Sequence, residues 1–246
     1  MQAPSAVAPE IALSVVSHGQ NALVNTLLRD LRNQPAGRLT VIVTLNIDDT
    51  VALDAADAQF PVEIIANQQA KGFGANHNAA FERCRAPYFC VANPDIRLGS
   101  DPFTPLLSAL EESAAAVAGP LVRNPLGGVE DSARRFPTLG SLLGKLAGIG
   151  GGAEYAWDRG PIAVDWLAGM FMLFRSEDFR AVRGFDERYF LYYEDVDICR
   201  RLQKAGKRVL YQPGAEVIHA ARRASRRNLR YLRHHLQSML RYFTRA

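Results

Sequence analysis

The chain has 246 residues, of which 48% are hydrophobic and 22% charged, a composition typical of a globular protein with a substantial core. Its longest apolar runs, such as residues 166–174, are too short to span a bilayer. Residues 1–9 lack the basic start and apolar block of a signal peptide, so we expect a cytoplasmic protein. Its three cysteines, Cys84, Cys90 and Cys199, are widely spaced, which argues against a disulfide framework or a cysteine zinc site.

The net charge of +4 is unevenly distributed along the chain. Residues 220–246 contain eight arginines and no acidic residue, which leaves a net charge of −4 on the remainder. Large apolar residues recur at helical spacing between these arginines, and they predict a basic amphipathic helix: Leu229, Leu232, Leu236, Met239, Leu240 and Phe243.

We therefore expect one domain over residues 1–220, followed by a helical extension over residues 221–246. The extension could lie on an anionic membrane surface, or it could pack on the domain or on a second subunit of a homodimer. We favour peripheral membrane contact at the inner face of the cell membrane. Nucleic-acid binding is not expected, because no recognised binding module accompanies the charge.

Strand and helix patterns alternate along the first half of the chain. Because the strands are continuous apolar runs, they predict a mainly parallel sheet covered on both faces, an α/β fold with ligands at the carboxyl ends of the strands. The predicted strands are residues 11–17, 39–45, 60–66 and 88–92, and the predicted helices cover residues 23–31, 72–84 and 102–113.

The second half begins with a strand at residues 114–119 and a long glycine-rich connection over residues 120–160. Loops of this length in compact domains often serve as lids or binding loops. Further strands are predicted at 164–174, 207–211 and 215–219, with helices at 176–182 and from 194 to 206.

The densest acidic cluster is Glu194, Asp195 and Asp197, which follows a run of aromatic residues and opens a helix. Carboxylates in the first turn are favoured by the helix dipole. Such a group can accept a proton from a substrate hydroxyl or help to hold a cation. Taken alone, the cluster is better explained as a well-formed helix start.

Three other motifs could carry chemistry. Asn93-Pro94-Asp95 directly follows a buried strand, where a carboxylate can hold Mg²⁺ or Mn²⁺, although, taken alone, the motif is better explained as a simple Asn-Pro turn. His219 ends the last strand and could join such a metal shell, since an imidazole shifts the preference towards Mn²⁺. Residues 67–78 place two glycines before a helix start, where backbone N–H groups could contact a phosphate or a sugar.

Trp166 and Gly169 lie in the sequence WLAGM and could offer an aromatic face and an open backbone to a sugar or acceptor. A tryptophan in the core is an equally good explanation.

Together these motifs resemble the family 2 glycosyltransferases with the GT-A fold. The resemblance runs from VVSHGQ in the first strand to His219, and its most specific part is GFDERYFLYYEDVDICRRLQKAGKRVLYQPGAEVIH at residues 184–219. NQQAKGFGANHN is similar to the stretch that lines the nucleotide-sugar site, and NPD is similar to the metal motif with its first Asp replaced by Asn93. The length, the ARRFPT segment and the arginine-rich end are most similar to bacterial rhamnosyltransferase-like members.

The resemblance implies an inverting transfer of a hexose, with a leaning towards L-rhamnose from dTDP-L-rhamnose, to a saccharide or lipid-linked saccharide in cell-surface polysaccharide synthesis. Asp195 would be the general base, supported by Glu194. Asp95 and His219 would hold a divalent metal, Mg²⁺ or Mn²⁺. The resemblance assigns the nucleotide-sugar donor to Ser17, Asn46, Asn67, Gly72, Asn76, Asn93 and Asp95, and the acceptor to Trp166, Gly169 and Arg200.

Two positions depart from the family pattern. Leu45 and Asn46 stand where the family usually carries an Asp that contacts the base or ribose, and Asp48 or Asp49 could take its place from a shifted loop. The first acid of the metal motif is Asn93, a weaker ligand. A nucleotidyltransferase is an alternative, but it would require a glycine-rich basic loop after the first strand. A non-catalytic sugar-nucleotide-binding module of the same fold would be expected to lose the acids.

Overall fold

The computed structural model describes residues 9–34, 37–56, 58–138, 140–141, 154–155, 160–220 and 229–244. The strands are β1 (Ile11–His18), β2 (Leu39–Ile47), β3 (Val62–Ala66), β4 (Tyr88–Ala92), β5 (Ile96–Arg97), β6 (Val117–Arg123), β7 (Val129–Glu130), β8 (Ala133–Arg134), β9 (Ile162–Ala163), β10 (Trp166–Leu167), β11 (Phe171–Arg175) and β12 (Val209–His219). The helices are α1 (Asn21–Leu31), α2 (Phe73–Phe81), α3 (Phe103–Ser113), α4 (Ser176–Ala181), α5 (Glu194–Lys204) and α6 (Leu229–Thr244).

Ten of these strands form one large sheet, whose main path is β3-β2-β1-β4-β11-β6-β12-β5, with β7 paired to β6 and β9 paired to β12; β8 and β10 form a separate two-stranded sheet. The long ladders between β3, β2, β1 and β4, and between β6 and β12, are parallel. Strand β11 runs antiparallel between β4 and β6, so β4, β6 and β12 all point the same way. The carboxyl ends of the parallel strands therefore meet at one edge, where ligands of such sheets bind.

Both faces of the sheet are covered, as the continuous apolar strands predict. Residues alternate along β1, with Ile11 and Leu13 in one buried cluster and Ala12 in the other. Helices α1 and α3 contribute to the first cluster, whereas α2, α4, α5 and α6 contribute to the second. The prediction of a mainly parallel α/β fold is confirmed.

Two strand predictions in the second half are corrected. The run at 164–174 is two strands, because the chain turns at Ala168–Met170, where the Met170 N–H donates to the Ala168 carbonyl at 2.7 Å. The separate strands at 207–211 and 215–219 are one strand, β12, because an irregularity in register between Gln212 and Glu216 absorbs Pro213 and Gly214. Of the long connection over residues 120–160, β7 and β8 are ordered strands, and much of the rest lies outside the described residues.

Helix α6 packs one side against the domain, with Ser238 and Tyr242 buried. The Ser238 hydroxyl donates to the Leu191 carbonyl at 2.9 Å. The extension is therefore joined to the segment that precedes α5. Across the described ranges, no helix combines the length and apolar character that crossing a membrane requires.

Candidate active site

Asp95 and His219 lie side by side at the carboxyl edge of the sheet. Strand β5 pairs with the end of β12, opposing Ile96 to His219, and the Ala220 N–H donates to the Asp95 carbonyl at 2.9 Å. His219 Nε2 consequently lies 3.3 Å from Asp95 Oδ1. Two residues that are 124 positions apart in the sequence are thus brought together by one short antiparallel pairing.

Glu130 on β7 completes this group, although no motif in the sequence pointed to it. Its Oε2 lies 2.8 Å from His219 Nδ1. Burial lowers the pKa of His219, but the carboxylates of Asp95 and Glu130 outweigh it and leave the pKa above its ordinary value. A carboxylate on Nδ1 also fixes the ring so that Nε2 points towards Asp95.

These residues fit a divalent cation held jointly with a ligand. Asp95 Oδ1 is buried and, among the described residues, faces no hydrogen-bond donor other than His219 Nε2 at 3.3 Å, and a carboxylate with an imidazole is a donor set that suits Mn²⁺ or Mg²⁺. Within the described ranges, no group of three or more His, Cys, Asp or Glu side chains is arranged to hold an ion by itself. The remaining ligands would have to come from substrate oxygens and water.

Three asparagines form a hydrogen-bonded network beyond the carboxyl ends of β2 and β3. Asn67 Nδ2 donates to Asn46 Oδ1 at 2.9 Å and to Asn76 Oδ1 at 2.7 Å. Asn46 also binds both the N–H and the carbonyl of Lys71. Three of the four asparagines assigned to the donor are therefore brought together, and they hold the loop over residues 67–72 in shape.

Ser17 and the acidic loop after β2 serve the start of α1. The buried Ser17 hydroxyl donates to Asn21 Oδ1 at 2.6 Å, and the Asn21 N–H donates to Asp49 Oδ2 at 2.7 Å. Backbone N–H groups, first that of Val51 and then that of Asn21, lower the pKa of Asp49. The Asp49 carboxylate therefore already binds the N-terminus of helix α1.

The two glycines of the predicted sugar-lining stretch face protein backbone and packed side chains. A Cβ added at Gly72 would lie 2.6 Å from the Phe190 carbonyl oxygen, and one at Gly74 would lie 2.7 Å from Phe185 Cβ. The Phe73 N–H donates to the same Phe190 carbonyl at 2.9 Å. The glycines thus let helix α2 approach the segment before α5, and the assignment of Gly72 to the donor stays a prediction.

The acidic pair lies at the first turn of α5. Asp195 Oδ2 accepts the Gly169 N–H at 3.0 Å and its Oδ1 accepts the Val196 N–H at 2.9 Å. Glu194 is buried, and its Oε2 has no hydrogen-bond partner. Burial, followed by the Asp195 charge, raises the pKa of Glu194 well above its ordinary value, whereas the pKa of Asp195 is raised by burial and held back by its N–H donors. When the pair binds a single proton, that proton therefore resides on Glu194 and Asp195 is the anion.

The turn at residues 168–170 connects the acidic pair to the strand-end motif. Gly169 donates to Asp195, while the neighbouring Met170 carbonyl accepts the Asn93 N–H at 2.9 Å. A Cβ at Gly169 would lie 3.3 Å from the Phe73 ring and 3.7 Å from Asp195 Cβ, so a side chain there would be crowded. The Asn-Pro-Asp turn and the acidic pair are thus held by two successive residues.

The backbone immediately before the acids is in a rare conformation. Tyr192 and Tyr193 have φ values of 71° and 69°, the left-handed region. Each such residue costs roughly 1–2 kcal/mol when it carries a side chain. The surrounding structure must offset this strain, and such strain is concentrated at functional sites.

Trp166 and Arg200 are held by protein groups. The Trp166 ring is buried, and its indole N–H donates to the Arg135 carbonyl at 2.9 Å. The Arg200 guanidinium lies 5.2 Å from the centre of the Tyr242 ring. Asp197 pairs with the neighbouring Arg201 at 2.7 Å. The roles of Trp166 and Arg200 towards an acceptor stay predictions.

Solved structures show which class of protein has this fold. The chain superimposes on a mannosyltransferase from Pyrobaculum calidifontis, solved with GDP-Man and Mn²⁺, with a TM-score of 0.65 at 13% identity, covering 98% of this chain and 65% of that chain. It matches Staphylococcus aureus TarS, solved with UDP-GlcNAc, with a TM-score of 0.60 at 12% identity, covering 87% of this chain and 59% of that chain. The GT-A glycosyltransferase fold is confirmed.

The family model described as glycosyltransferase-like family 2 matches residues 8–241, and the chain belongs to this family. It is 32% identical to rhamnosyltransferase WbbL of Escherichia coli over 96% of this chain and 93% of that protein. It is 40% identical to the N-acetylglucosaminyl-diphospho-decaprenol L-rhamnosyltransferase of Mycobacterium tuberculosis over 52% of this chain and 45% of that protein. The protein is therefore a glycosyltransferase, as the sequence motifs predicted.

Proposed function

We propose that the protein is an inverting rhamnosyltransferase that moves L-rhamnose from dTDP-L-rhamnose to a hydroxyl of a lipid-linked saccharide in cell-surface polysaccharide synthesis. The similarity to a rhamnosyltransferase over 96% of the chain carries the choice of sugar. The second relative is named for a rhamnosyl acceptor that contains a diphospho-decaprenol, which supports the lipid-linked class of acceptor.

Asp195 acts as the general base. It takes the proton of the acceptor hydroxyl as that oxygen attacks C1 of the sugar, and the bond from C1 to the nucleotide diphosphate breaks on the opposite face. The Gly169 N–H holds the Asp195 carboxylate at 3.0 Å. Glu194 keeps a proton and supports Asp195 without competing for the acceptor.

Asp95 and His219 hold the diphosphate end of the donor. A divalent cation, Mn²⁺ or Mg²⁺, would be bound there and would neutralise the charge that develops on the departing diphosphate. Glu130 orients His219 for this role. The asparagine network and Ser17 line the neighbouring nucleotide-binding edge.

A ligand screen followed by a transfer assay tests the proposal. Thermal unfolding is measured with dTDP, UDP and GDP, each with and without Mn²⁺, and the expected result is the largest increase in Tm with dTDP and Mn²⁺, since ligands of the native state stabilise it. Rhamnosyl transfer from dTDP-L-rhamnose to a lipid-linked saccharide is then followed directly. Binding of UDP or GDP in preference to dTDP would replace the proposed donor.

We further propose that helix α6 places the protein on an anionic membrane at the inner face of the cell membrane. One stripe of α6 is exposed although it is apolar: Leu232, Leu236 and Leu240 are 53%, 49% and 65% exposed. The sequence around this stripe, residues 220–246, carries eight arginines and no acid. Apolar residues flanked by arginines are complementary to anionic headgroups above acyl chains.

Flotation with vesicles of phosphatidylglycerol tests this surface, with phosphatidylcholine vesicles as the neutral comparison. Leu240→Glu is expected to release the protein from anionic vesicles several-fold, whereas Leu126→Glu, at a residue 96% exposed in another part of the molecule, leaves binding unchanged. If Leu240→Glu instead converts a dimer to a monomer with no effect on flotation, the stripe is a subunit contact.

A further inference from the structure

The contacts of helix α6 are concentrated on the strained turn that precedes the acidic pair. Ser238 donates to the Leu191 carbonyl at 2.9 Å, one residue before the two left-handed tyrosines. The ring of Tyr242 lies 5.4 Å from that of Tyr193. His235 lies 5.2 Å from the Tyr192 ring and 5.6 Å from the Tyr193 ring, between centroids.

The same helix also contacts the chain just before this turn. Phe190 stacks on His234 with ring centroids 4.7 Å apart, and the Arg241 guanidinium donates to the Arg188 carbonyl. Every described residue from Phe190 to Tyr193 is therefore held by a side chain of α6. The contacts on Leu191, Tyr192 and Tyr193 come from residues near the end of the chain, far from the acids in sequence.

Two left-handed aromatic residues in succession do not persist without support, because each prefers the right-handed or extended region. The groups that contact this segment, Ser238 at the Leu191 carbonyl and His235 and Tyr242 at the two tyrosine rings, all belong to α6. Tyr242 and Ser238 are 4% and 5% exposed, so both side chains are packed against the domain.

We infer that α6 is a brace for the catalytic turn, with Ser238, His235 and Tyr242 as positioning residues that act through Tyr192 and Tyr193 to place Asp195. Glu194 and Asp195 follow Tyr193 directly, so any relaxation of the left-handed pair displaces the Asp195 carboxylate from the Gly169 N–H. The catalytic consequence rests on the proposed role of Asp195 as base, whereas the mechanical role of α6 does not.

The brace predicts a loss of turnover without a loss of donor binding. The donor-side residues Asp95, His219 and the asparagines belong to the sheet edge, and α6 has no contact with them in its described hydrogen bonds or ring pairs. Tyr242→Ala is therefore expected to reduce kcat roughly 10–100-fold, as a small misplacement of a catalytic group does. The KM of the donor and the Kd of the nucleoside diphosphate should stay within about twofold of the wild type.

The experiment compares full-length variants that remain folded. Tyr242→Ala removes the ring, Tyr242→Phe retains it, Ser238→Ala removes the hydrogen bond, and Gln237→Ala is a control on an exposed position of the same helix. Steady-state kinetics, nucleotide binding, thermal unfolding and hydrogen exchange of the amides of residues 191–196 are measured on each.

The expected order is a large kcat effect for Tyr242→Ala, a smaller one for Ser238→Ala, and near wild-type kinetics for Tyr242→Phe and Gln237→Ala. Amide exchange at residues 191–196 should accelerate about tenfold or more in Tyr242→Ala, since local opening becomes easier. Unchanged amide exchange at residues 191–196 in a folded Tyr242→Ala variant would overturn the inference. A loss of kcat matched by an equal rise in the KM of the donor would overturn it as well. If the wild type transfers no sugar at all, the proposed function fails while the exchange experiment still decides the role of α6.

Discussion

The site has two sides, which are built in opposite ways. The strand edge comprises Asp95, His219 and the asparagine network, and the acidic turn comprises residues 190–195. At the strand edge, Asn46, Asn67 and Asn76 satisfy one another through hydrogen bonds, and His219 is held between two carboxylates. At the acidic turn, Glu194 is buried with an unpartnered oxygen, and the backbone before it is strained. Under the proposed function, the edge would hold a charged donor in a fixed place, whereas the turn would keep a carboxylate in a state that favours proton transfer.

The largest expected effect separates these two sides. Asp195→Asn removes the base and leaves the strand edge intact, so kcat should fall roughly 10²–10⁴-fold, the usual contribution of general base catalysis. Nucleoside diphosphate affinity, measured by calorimetry, should be unchanged. Asp197→Asn is the matched control, because it removes a neighbouring acid whose partner is Arg201. Near-normal turnover of Asp195→Asn would remove Asp195 from the mechanism.

A substitution at the strand edge should have the opposite effect and weaken the binding of the donor's nucleoside diphosphate. Asp95→Ala removes a carboxylate that faces His219 and should weaken the Mn²⁺-dependent affinity for nucleoside diphosphate by at least the roughly 10–100-fold known for outer partners of metal ligands. Calorimetric titration with and without Mn²⁺ measures this directly. The same affinity in the variant and the wild type would mean that Asp95 holds no cation.

Glu130→Gln gives a milder test of the same edge. The amide can still contact His219 Nδ1 but carries no charge, so we expect a weakening of Mn²⁺-dependent binding of about tenfold. Glu216→Gln on β12 is the control, since that carboxylate pairs with Arg123 at 2.7 Å and not with His219. Equal effects of the two substitutions would show a general electrostatic contribution and no specific role of Glu130.

A fourth prediction concerns the contact between helix α2 and the segment before α5. Gly72→Ala brings a methyl group within 2.6 Å of the Phe190 carbonyl oxygen, and overpacking of this kind destabilises by about 1–3 kcal/mol. Tm should fall by about 2–4 °C for each kcal/mol. Gly99→Ala, where nothing lies within 4 Å of the new Cβ, is the control and should leave Tm unchanged. An unaltered Tm for Gly72→Ala would show that α2 and the turn can move apart freely.

The smallest expected effect is a change in the pH dependence of stability. The pKa of Glu194 is raised in the folded protein above its ordinary value of 4.5, so above that pH the folded state binds more protons than the unfolded chain and stability falls as the pH rises. Each pH unit costs up to about 1.4 kcal/mol until the raised pKa is reached. Glu194→Gln should flatten this slope in chemical denaturation from pH 5 upwards. An unchanged slope would mean that Glu194 ionises freely.

The sequence predicted the strand edge better than the acidic turn. Buried strands are continuous apolar runs, so β1, β2 and β4 were evident, and residues directly after them had to meet at one edge. Asp95 and His219 could be paired in advance because each follows or ends a strand. Glu130 could not, since it lies in a glycine-rich connection where only the pairing of β7 with β6 places it.

The acidic turn depends on contacts that leave no local signal. Residues 192 and 193 are tyrosines, which gives no hint of a left-handed backbone, a conformation that sequence patterns associate with glycine or asparagine. The helical spacing of α6 was visible, but its amphipathic pattern did not say that Ser238 and Tyr242 would face the domain while Leu232 and Leu236 stay exposed. Gly72 and Gly74, at the start of α2, resembled a sugar-facing loop, but a side chain at either would meet Phe190 or Phe185.

Gly72 and Gly74 also restrict which substitutions the chain can tolerate. The nearest atoms to a new side chain at Gly72 belong to the Phe190 backbone, and at Gly74 the nearest is the Phe185 Cβ, an atom shared by every residue except glycine. Truncating either phenylalanine to alanine therefore cannot make room. In a saturation library, both positions should strongly favour glycine. Substitution at 190 should not rescue a side chain at 72, because the blocking atoms there are backbone, and at 185 only glycine would remove the atom that blocks position 74.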